Sequence, residues 1–584
     1  MKPVRIRRRE APQHVADALP AALHPVLRRI LAARGIACAE DLEHRLAWLL
    51  PPTALGGVER AGELLEEALL RTAPIIIVGD FDADGATGTA VAVRGLRLLG
   101  ARDVDYGVPN RFVHGYGLGP LLVEELVARH PGLVGRGLLI TVDNGVAAHA
   151  GVAAAKAHGL GVIVTDHHLP GQTLPAADAM INPNLEADAF PSKALAGVGV
   201  MFYLLLALRA RLRERGWFGE RGIAEPDLSC LLDLVALGTV ADLVPLDRNN
   251  RILVEAGLKR IRAGRACAGI VALLECAKRD PARAVASDLG FAVAPRINAA
   301  GRLEDIRLGI ECLISDDAQR ARSLAQALSA INSERRELQS DMVERAEAVV
   351  HSWVAARGVE NLPVGVVLFD PEWHHGVVGL VASKLKEILN RPVIACAPAA
   401  EGSDEIKASG RSIAGFHLRD ALAEVEARAP GLLLRFGGHA MAAGMTLLRC
   451  DLERFVVAFD EVARARICEA DLDAVLLTDG ELSSSELSLE LAQQLRFAGP
   501  WGQAFPEPLF DGLFDIESTR TMGESHRRLN LRCAQSTRSV EAVQFNVDLA
   551  QVLPRTIRAV YQLEVNDWND RQQLRLLLRH VEPA

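Results

Sequence analysis

No two cysteines of this chain stand in CxxC spacing. Its nine cysteines are scattered singly, which excludes a zinc-ribbon site and a disulfide framework and suits a reduced, cytoplasmic setting. No apolar run approaches the roughly 18 residues that a membrane-spanning helix needs. Met1–Glu10 carries Lys2, Arg5, Arg7, Arg8 and Arg9, but no apolar segment follows them, so no secretory signal is expected. Positive charge is not in excess: 65 Lys and Arg stand against 74 Asp and Glu, a net charge of −9. That excludes a uniformly basic nucleic-acid coat, yet it allows a local basic groove around an acidic site, because the field depends on distribution. Aromatics make up only 4%, so each exposed-looking Trp or Tyr is more informative than usual. What remains is a globular composition, 49% hydrophobic and 24% charged over 584 residues, enough for roughly two to four domains.

The organising stretch is Ile75–Thr89. Four apolar residues run into Gly79, and Asp80, Asp82 and Asp84 follow. The run predicts a buried parallel strand, and alternation puts the three carboxylates on one side of an extended chain. Taken alone, the triad is equally an acidic turn in water; so many like charges otherwise call for a cation between them.

From 75 to about 315, apolar strands alternate with alanine-rich helices, the rhythm of a doubly wound parallel sheet, whose ligands sit at the carboxyl ends of the strands. Predicted strands are Ile75–Val78, Val104–Val108, Gly137–Val142 and Gly161–Thr165. Polar residues gather where these end: Asp80, Asp82 and Asp84; Asn110 and Arg111, with His114 and Tyr116 close behind; Asp143; and Asp166-His167-His168. A later apolar run, Asp233–Val240, leads into Asp242 and is read in the same way. Carboxylates with one or two imidazoles form an oxygen-dominated site suited to Mn²⁺ or Mg²⁺. Two such ions, bridged by a carboxylate, would clamp both oxygens of an in-line phosphoryl displacement. Both histidines are read as belonging to the site, over the alternative of one ligand and one packed or capping ring. Asn298 and Arg302, four apart in Pro295–Arg302, would share a helix face, where Arg302 suits a phosphate and Asn298 can donate to it. An isolated Arg there would otherwise be a surface charge.

The set Asp82-Ala83-Asp84, Asp143, Asp166-His167-His168 and Asp242 resembles the DHH phosphoesterase superfamily. Gly79–Gly85, Val108–Gly117, Gly238–Pro245 and Pro295–Arg302 are similar to its single-stranded-DNA-specific exonucleases, over about residues 70–580. The resemblance implies two divalent cations, Mn²⁺ or Mg²⁺. Asp82 and Asp143 would hold one; Asp84, Asp143, His167 and Asp242 the other. Asp80 would be a direct ligand or a brace, since many superfamily members instead place a histidine four residues before the DxD, here Val78. His168 would face the phosphate and Asp166 would position the histidines. The resemblance further implies that Arg111, Ser409 and Arg411 recognise a 5′ phosphate, with Tyr116, His374 and His439 on the substrate side.

Five regions are expected: a helical cap (1–50), a DHH catalytic α/β domain (51–315), a connecting helix (316–350) with Leu324, Leu328, Ile331, Leu338, Met342 and Val349 along its seam, a smaller α/β DHH-associated domain (351–452), and a C-terminal OB-fold β-barrel (453–584). Barrel strands are predicted over 509–517, 528–534, 538–545, 557–566 and 572–579. Interleaved arginines, with Trp501, Phe505, Tyr561 and Trp568 as stacking faces, suit single-strand binding. Ala504-Phe505 departs from the Gly-Asn usual in that family turn. The implied activity is two-metal 5′-to-3′ hydrolysis of single-stranded DNA to 5′-mononucleotides, in recombination and repair, with a single-strand-binding protein and a DNA helicase as partners. A small-substrate phosphoesterase, a non-catalytic DNA-binding scaffold and a double-strand enzyme are the alternatives.

Overall fold

The structure, a computed structural model, describes residues 4–111, 113–358, 361–523, 525–533, 538–568 and 571–584, apart from the side chains of Arg357, Ala470 and Trp568. The chain forms two compact units. One comprises Arg8–Ala330 and Thr478–Ala584; the other comprises Ile331–Leu477 with the N-terminal residues up to Arg7.

The larger unit is built on five parallel strands: β1 (Ile75–Gly79), β2 (Val104–Gly107), β3 (Leu138–Val142), β4 (Gly161–Thr165) and β5 (Ala179–Ile181). Their order is β2-β1-β3-β4-β5, so the direction of winding reverses between β1 and β3. Every residue of β1 and β3 is buried, as expected for strands covered on both faces. On one face Ile76, Val78, Leu139, Val162 and Val164 pack against Leu122, Leu126, Val152 and Ala155 of flanking helices. Each such side chain contributes about 1.5–3 kcal/mol of apolar transfer free energy. Strand β5, three residues long, was not anticipated. The apolar run at Asp233–Val240 is not a strand; it lies in a helix, Leu232–Ala241, in which every residue up to Val240 is buried.

Strands β6 (Val366–Phe369), β7 (Val393–Pro398), β8 (Glu405–Arg411), β9 (Arg435–Gly438) and β10 (Ala442–Leu448) form the sheet of the smaller unit, in the order β9-β10-β8-β7-β6. Only β6 and β7 run parallel. Its core joins Ile394, Leu418, Phe455 and Phe459. The chain passes from one unit to the other within a 40-residue helix, Ala318–Arg357. Its buried positions include Ala321, Ala325, Leu328, Ile331, Met342, Ala346 and Val350, whereas Val349 is exposed. Small alanines, rather than Leu324 and Val349, make part of the seam.

The C-terminal strands β11 (Phe510–Met522), β12 (His526–Cys533), β13 (Ser539–Gln544), β14 (Thr556–Trp568) and β15 (Arg571–Pro583) close into a barrel of order β11-β12-β13-β15-β14. One parallel pairing, β13 with β15, closes a set otherwise antiparallel. The segment before it is fastened to the rest of the larger unit. Trp501 and Phe505 are buried and stacked at 5.1 Å, with Arg34 over the first ring and Arg251 over the second. Leu246 N donates to Gln503 O at 2.8 Å. Trp501 and Phe505 are therefore packing residues, not stacking faces for DNA, and so is Tyr561, at 0% exposure. The atypical loop, with Ala504 at φ +59°, shapes this contact.

Arg34 binds both oxygens of Asp479, at 2.7 and 2.9 Å, and donates to Pro506 O at 2.8 Å; each side chain of the pair is 1% exposed. Arg34→Ala removes the bidentate partner of a buried carboxylate and leaves it Leu509 N at 3.0 Å and Arg9 at 3.8 Å, so stability of the larger unit should fall by about 3 kcal/mol, read from chemical denaturation. Asp511 accepts from Arg8, Thr478 and Arg558 at 2.7–3.1 Å. Burial opposes its ionisation, but these donors prevail and bring its pKa down to about 2. A depressed carboxylate pKa stabilises the fold above the unfolded value of 3.8, and that stabilisation is lost as pH falls toward 2. Asp511→Asn should therefore flatten the acid limb of the stability–pH curve between about pH 4 and 2.

Candidate metal centre at the strand ends

The register of the sheet builds the site. Gly79 pairs with Val142, Val142 with Thr165, and Thr165 with Ile181. The next residue on each strand is therefore Asp80, Asp143, Asp166 and Asn182, a single row across four strands. Asp143 N still donates to Thr165 O at 3.1 Å, and Asp166 N to Ile181 O at 3.0 Å. Asp143 then turns at φ +63°, a left-handed conformation that Asp tolerates better than most residues. Asn144 fastens the turn, donating to Val78 O at 3.0 Å and Val142 O at 2.9 Å.

Asp82 caps the helix Ala83–Leu98, accepting from Gly85 N at 3.0 Å. Asp84 lies in its first turn and accepts from Gly197 N at 2.6 Å and Val198 N at 2.9 Å, at the start of the helix Gly197–Glu214. Two glycines allow this approach. A Cβ on Gly197 would lie 2.5 Å from Asp143 Cβ, and one on Gly238 would lie 2.9 Å from Asp84 Oδ1. Asp242 is the C-cap of the helix Leu232–Ala241, so this carboxylate comes from a helix end rather than a strand end.

These elements bring the carboxylates around one ring. His167 Nε2 is 3.0 Å from Asp143 Oδ1, 3.5 Å from Asp242 Oδ2 and 3.9 Å from Asp84 Oδ2. Donor atoms of Asp84, His167 and Asp242 lie within 4.8 Å of one another, and so do those of Asp80, Asp82 and Asp143. Burial, and then the neighbouring carboxylates, hold Asp80, Asp143 and Asp242 well above the ordinary range and bring Asp84 up to about 7. Asp80 Oδ1 is buried without a hydrogen-bond donor. Hard oxygen donors with one imidazole, packed this closely, fit divalent cations such as Mn²⁺ or Mg²⁺.

Asp166 behaves oppositely. Burial opposes its charge, yet His168 Nδ1 at 2.7 Å, Val146 N at 2.8 Å and His168 N at 3.0 Å lower its pKa. It also accepts from His167 N at 2.7 Å. It is thus placed to set the histidine pair, and the His168 pKa is raised, burial being outweighed by Asp166. The far nitrogen of His168 is 3.3 Å from Tyr116 Oη. The sequence did not point to the residues that hold the loop from the other side. Asn184 donates to His167 O at 2.5 Å and Asn182 to His168 O at 2.8 Å. The Asn-Pro-Asn motif at 182–184 is visible in the sequence, but the strand before it is too short to flag it.

Arg111 lies 4.2 Å over the Phe81 ring, and burial lowers its pKa against the pull of Asp80 and Asp82. Asn298 accepts from Ala83 N at 2.8 Å, so its helix, Ala294–Leu303, abuts the Asp82 turn; Arg302 follows one turn on. In the smaller unit, Arg411 donates to Ser409 Oγ at 3.3 Å. A Cβ on Gly379 would lie 2.9 Å from Ser409 Oγ and 3.1 Å from Arg411, so the helix Val378–Leu389 begins against this pair. His374 stacks on His375 at 5.2 Å, and His439 is exposed at the β9–β10 turn. On the barrel, Arg528 pairs with Glu541, Arg532 with Glu517 and Arg575 with Glu564, so these three of the interleaved arginines are held by acids of the same barrel. The side chain of Trp568 lies outside the described residues.

Three family models match the chain: the DHH family N-terminal domain at residues 74–239, the DHHA1 domain at 361–465 and the RecJ OB domain at 478–580. The chain is 51% identical over 580 residues to the single-stranded-DNA-specific exonuclease RecJ of Dickeya dadantii, covering 99% of this chain and 98% of that protein. The crystal structure of Thermus thermophilus RecJ with Mn²⁺ is similar at a TM-score of 0.80 and 32% identity, covering 99% of this chain and 79% of that one. The Mg²⁺ complex of the same protein gives 0.74 and 31%, covering 99% and 78%.

Because Gly197 lies against Asp143, Gly197→Ala should weaken Mn²⁺ binding by about 10-fold or more, the scale on which disturbed ligand supports act. Calorimetric titration measures this, and circular dichroism should report an unchanged fold.

Proposed function

The chain belongs to the RecJ family, and from that membership and the row of strand-end carboxylates we infer a single-stranded-DNA-specific exonuclease that uses divalent Mn²⁺ or Mg²⁺. The observation that carries this reading is the convergence of Asp80, Asp82, Asp84, Asp143, His167 and Asp242 from registered strand ends and two helix ends. Asp82, Asp143 and Asp80 would hold one ion, and Asp84, Asp143, His167 and Asp242 the other. Such ions, when bound, neutralise phosphoryl charge and lower the pKa of water at the scissile bond.

The chain's own side chains do the rest. Asp166 keeps His168 oriented and favours its protonated form, so Nε2 can donate to a non-bridging phosphate oxygen or to the departing 3′ oxygen. Arg302 and Asn298 orient the phosphate from the adjoining helix. Arg111, stiffened by Phe81, presents a guanidinium beside the carboxylates. In the smaller unit Ser409 and Arg411, at a helix N-terminus, suit a terminal phosphate, with His374 and His439 nearby in sequence motifs of the same unit. Degradation from the 5′ end to 5′-mononucleotides is the polarity that the family resemblance implies. The cytoplasm is the matching compartment, and a DNA helicase that exposes single strands and a single-strand-binding protein are the partners this activity calls for.

A metal-dependent time course on oligonucleotides labelled at either end should release the 5′ label first. Release of the 3′ label first overturns the direction, and a blunt duplex degraded as fast as a single strand overturns the strand preference. Asp143→Ala should lower kcat by about 10²–10³-fold, and chelation of the divalent cations should abolish turnover. Arg411→Ala should erase the advantage of a 5′-phosphorylated over a 5′-hydroxyl end while Mn²⁺ binding is unchanged.

A further inference from the structure

An unusual local structure stands beside the metal centre. Leu289–Val293 forms a π-helix that continues directly into the helix Ala294–Leu303. Single π turns inside helices often mark functional sites. Phe291 sits in this turn and is 75% exposed in a chain with few aromatics. The faces of this helix are sharply divided. Residues 292–294, 297 and 299–301 are buried, while Phe291, Pro295, Asn298 and Arg302, spaced by four, three and four, share the open stripe. Asn298 on that stripe touches the Asp82 turn through Ala83 N. Phe291 lies about 10 Å further along the axis.

A second exposed apolar side chain lies close by. Leu243, the residue after Asp242, is 64% exposed and held at φ +58°. A bulky residue in the left-handed region is strained, and such strain persists where surrounding structure enforces it. Val240 links the two backbone segments: its carbonyl accepts from Leu243 N at 3.4 Å, and a Cβ on Gly290, the residue before Phe291, would lie 3.1 Å from its side chain. Two large apolar groups, one aromatic and one aliphatic, are thus exposed on segments that meet at Val240, one next to Asp242 and the other on the helix that carries Asn298. Neither contributes to the core, and both stand on irregular backbone.

We propose that Phe291 is a stacking platform for an unpaired nucleobase of the single strand, with Leu243 against the same nucleotide, and that this contact registers the strand over the metal centre. The proposal rests on the single-stranded-DNA reading above and names one further subsite of it. The occupant is a base rather than a protein side chain because the platform continues the Asn298–Arg302 phosphate stripe, so a strand whose phosphate lies there carries a base toward Phe291. A duplex keeps its bases stacked within itself, so the contact also favours single strands.

The test compares wild type, Phe291→Ala and Phe291→Trp on a single-stranded homopolymer and on a strand of the same length whose 5′-terminal nucleotides are abasic, with Mn²⁺. Phe291→Ala should raise KM on the homopolymer about 10-fold, the factor that ~1.4 kcal/mol of stacking gives. It should leave KM on the abasic strand within about twofold, and Phe291→Trp should restore the homopolymer value. An unchanged KM, or an equal rise on both strands, overturns the platform. Wild type inactive on both strands with Mn²⁺ overturns the exonuclease reading itself, a distinct outcome. Mn²⁺ titration of Phe291→Ala should match wild type; a loss there would assign Phe291 to support of the metal site and overturn the proposal.

Discussion

The parallel register of β1, β3, β4 and β5 is the constraint on which the rest of the larger unit depends. Because Gly79, Val142, Thr165 and Ile181 stand side by side, the residues after them form a row of three carboxylates and an amide. Four apolar strands, two of them buried at every residue, supply the free energy that holds the row together against its own repulsion. Burial first, and this repulsion second, push the carboxylate pKa values upward at Asp80, Asp84, Asp143 and Asp242. Asp166 is the exception because it is the one carboxylate supplied with an imidazole and several backbone donors. The sheet thus separates two kinds of acid: those that need a cation and one that steers a histidine.

Much of this was legible because parallel strands announce themselves as short β-branched runs and their ends as abrupt polar clusters. Asp80, Asp143 and Asp166 could therefore be placed at the mouth of one sheet without coordinates. Asp242 was placed there for the wrong local reason. A helix buried on all sides has no polar face, so Leu232–Ala241 carries no period that separates it from a buried strand. Asn182 and Asn184 were missed because β5 is three residues long and offers no pattern. Alanine hid the buried stripe of the long helix at Ala321, Ala325 and Ala346, since small residues do not stand out in a hydrophobic reading.

The aromatics show a second limit. Composition makes Trp501, Phe505 and Tyr561 conspicuous, but residue type does not reveal which side of a strand or loop faces the core. All three are interior. Phe291, an aromatic that does face solvent, drew no notice in the sequence because it sits in an apolar helix where a core role is the ordinary expectation. Exposure, not identity, separates the two groups, and exposure is a property of the folded chain.

Arg34 and Asp479 stand 445 residues apart in the chain, and both become buried on meeting. During synthesis at about 5–20 residues per second, Arg34 waits roughly 20–90 s before its carboxylate exists. For that interval the N-terminal helices carry a cation whose interior place is unfinished, and the surface later covered by Trp501 and Phe505 is open to water. The larger unit is therefore completed from its far end, with the segment that leads into the barrel acting as a latch. A nascent or truncated chain ending before residue 479 lacks more than the C-terminal barrel: it lacks the counter-charge of Arg34, a state suited to recognition by chaperones or proteases.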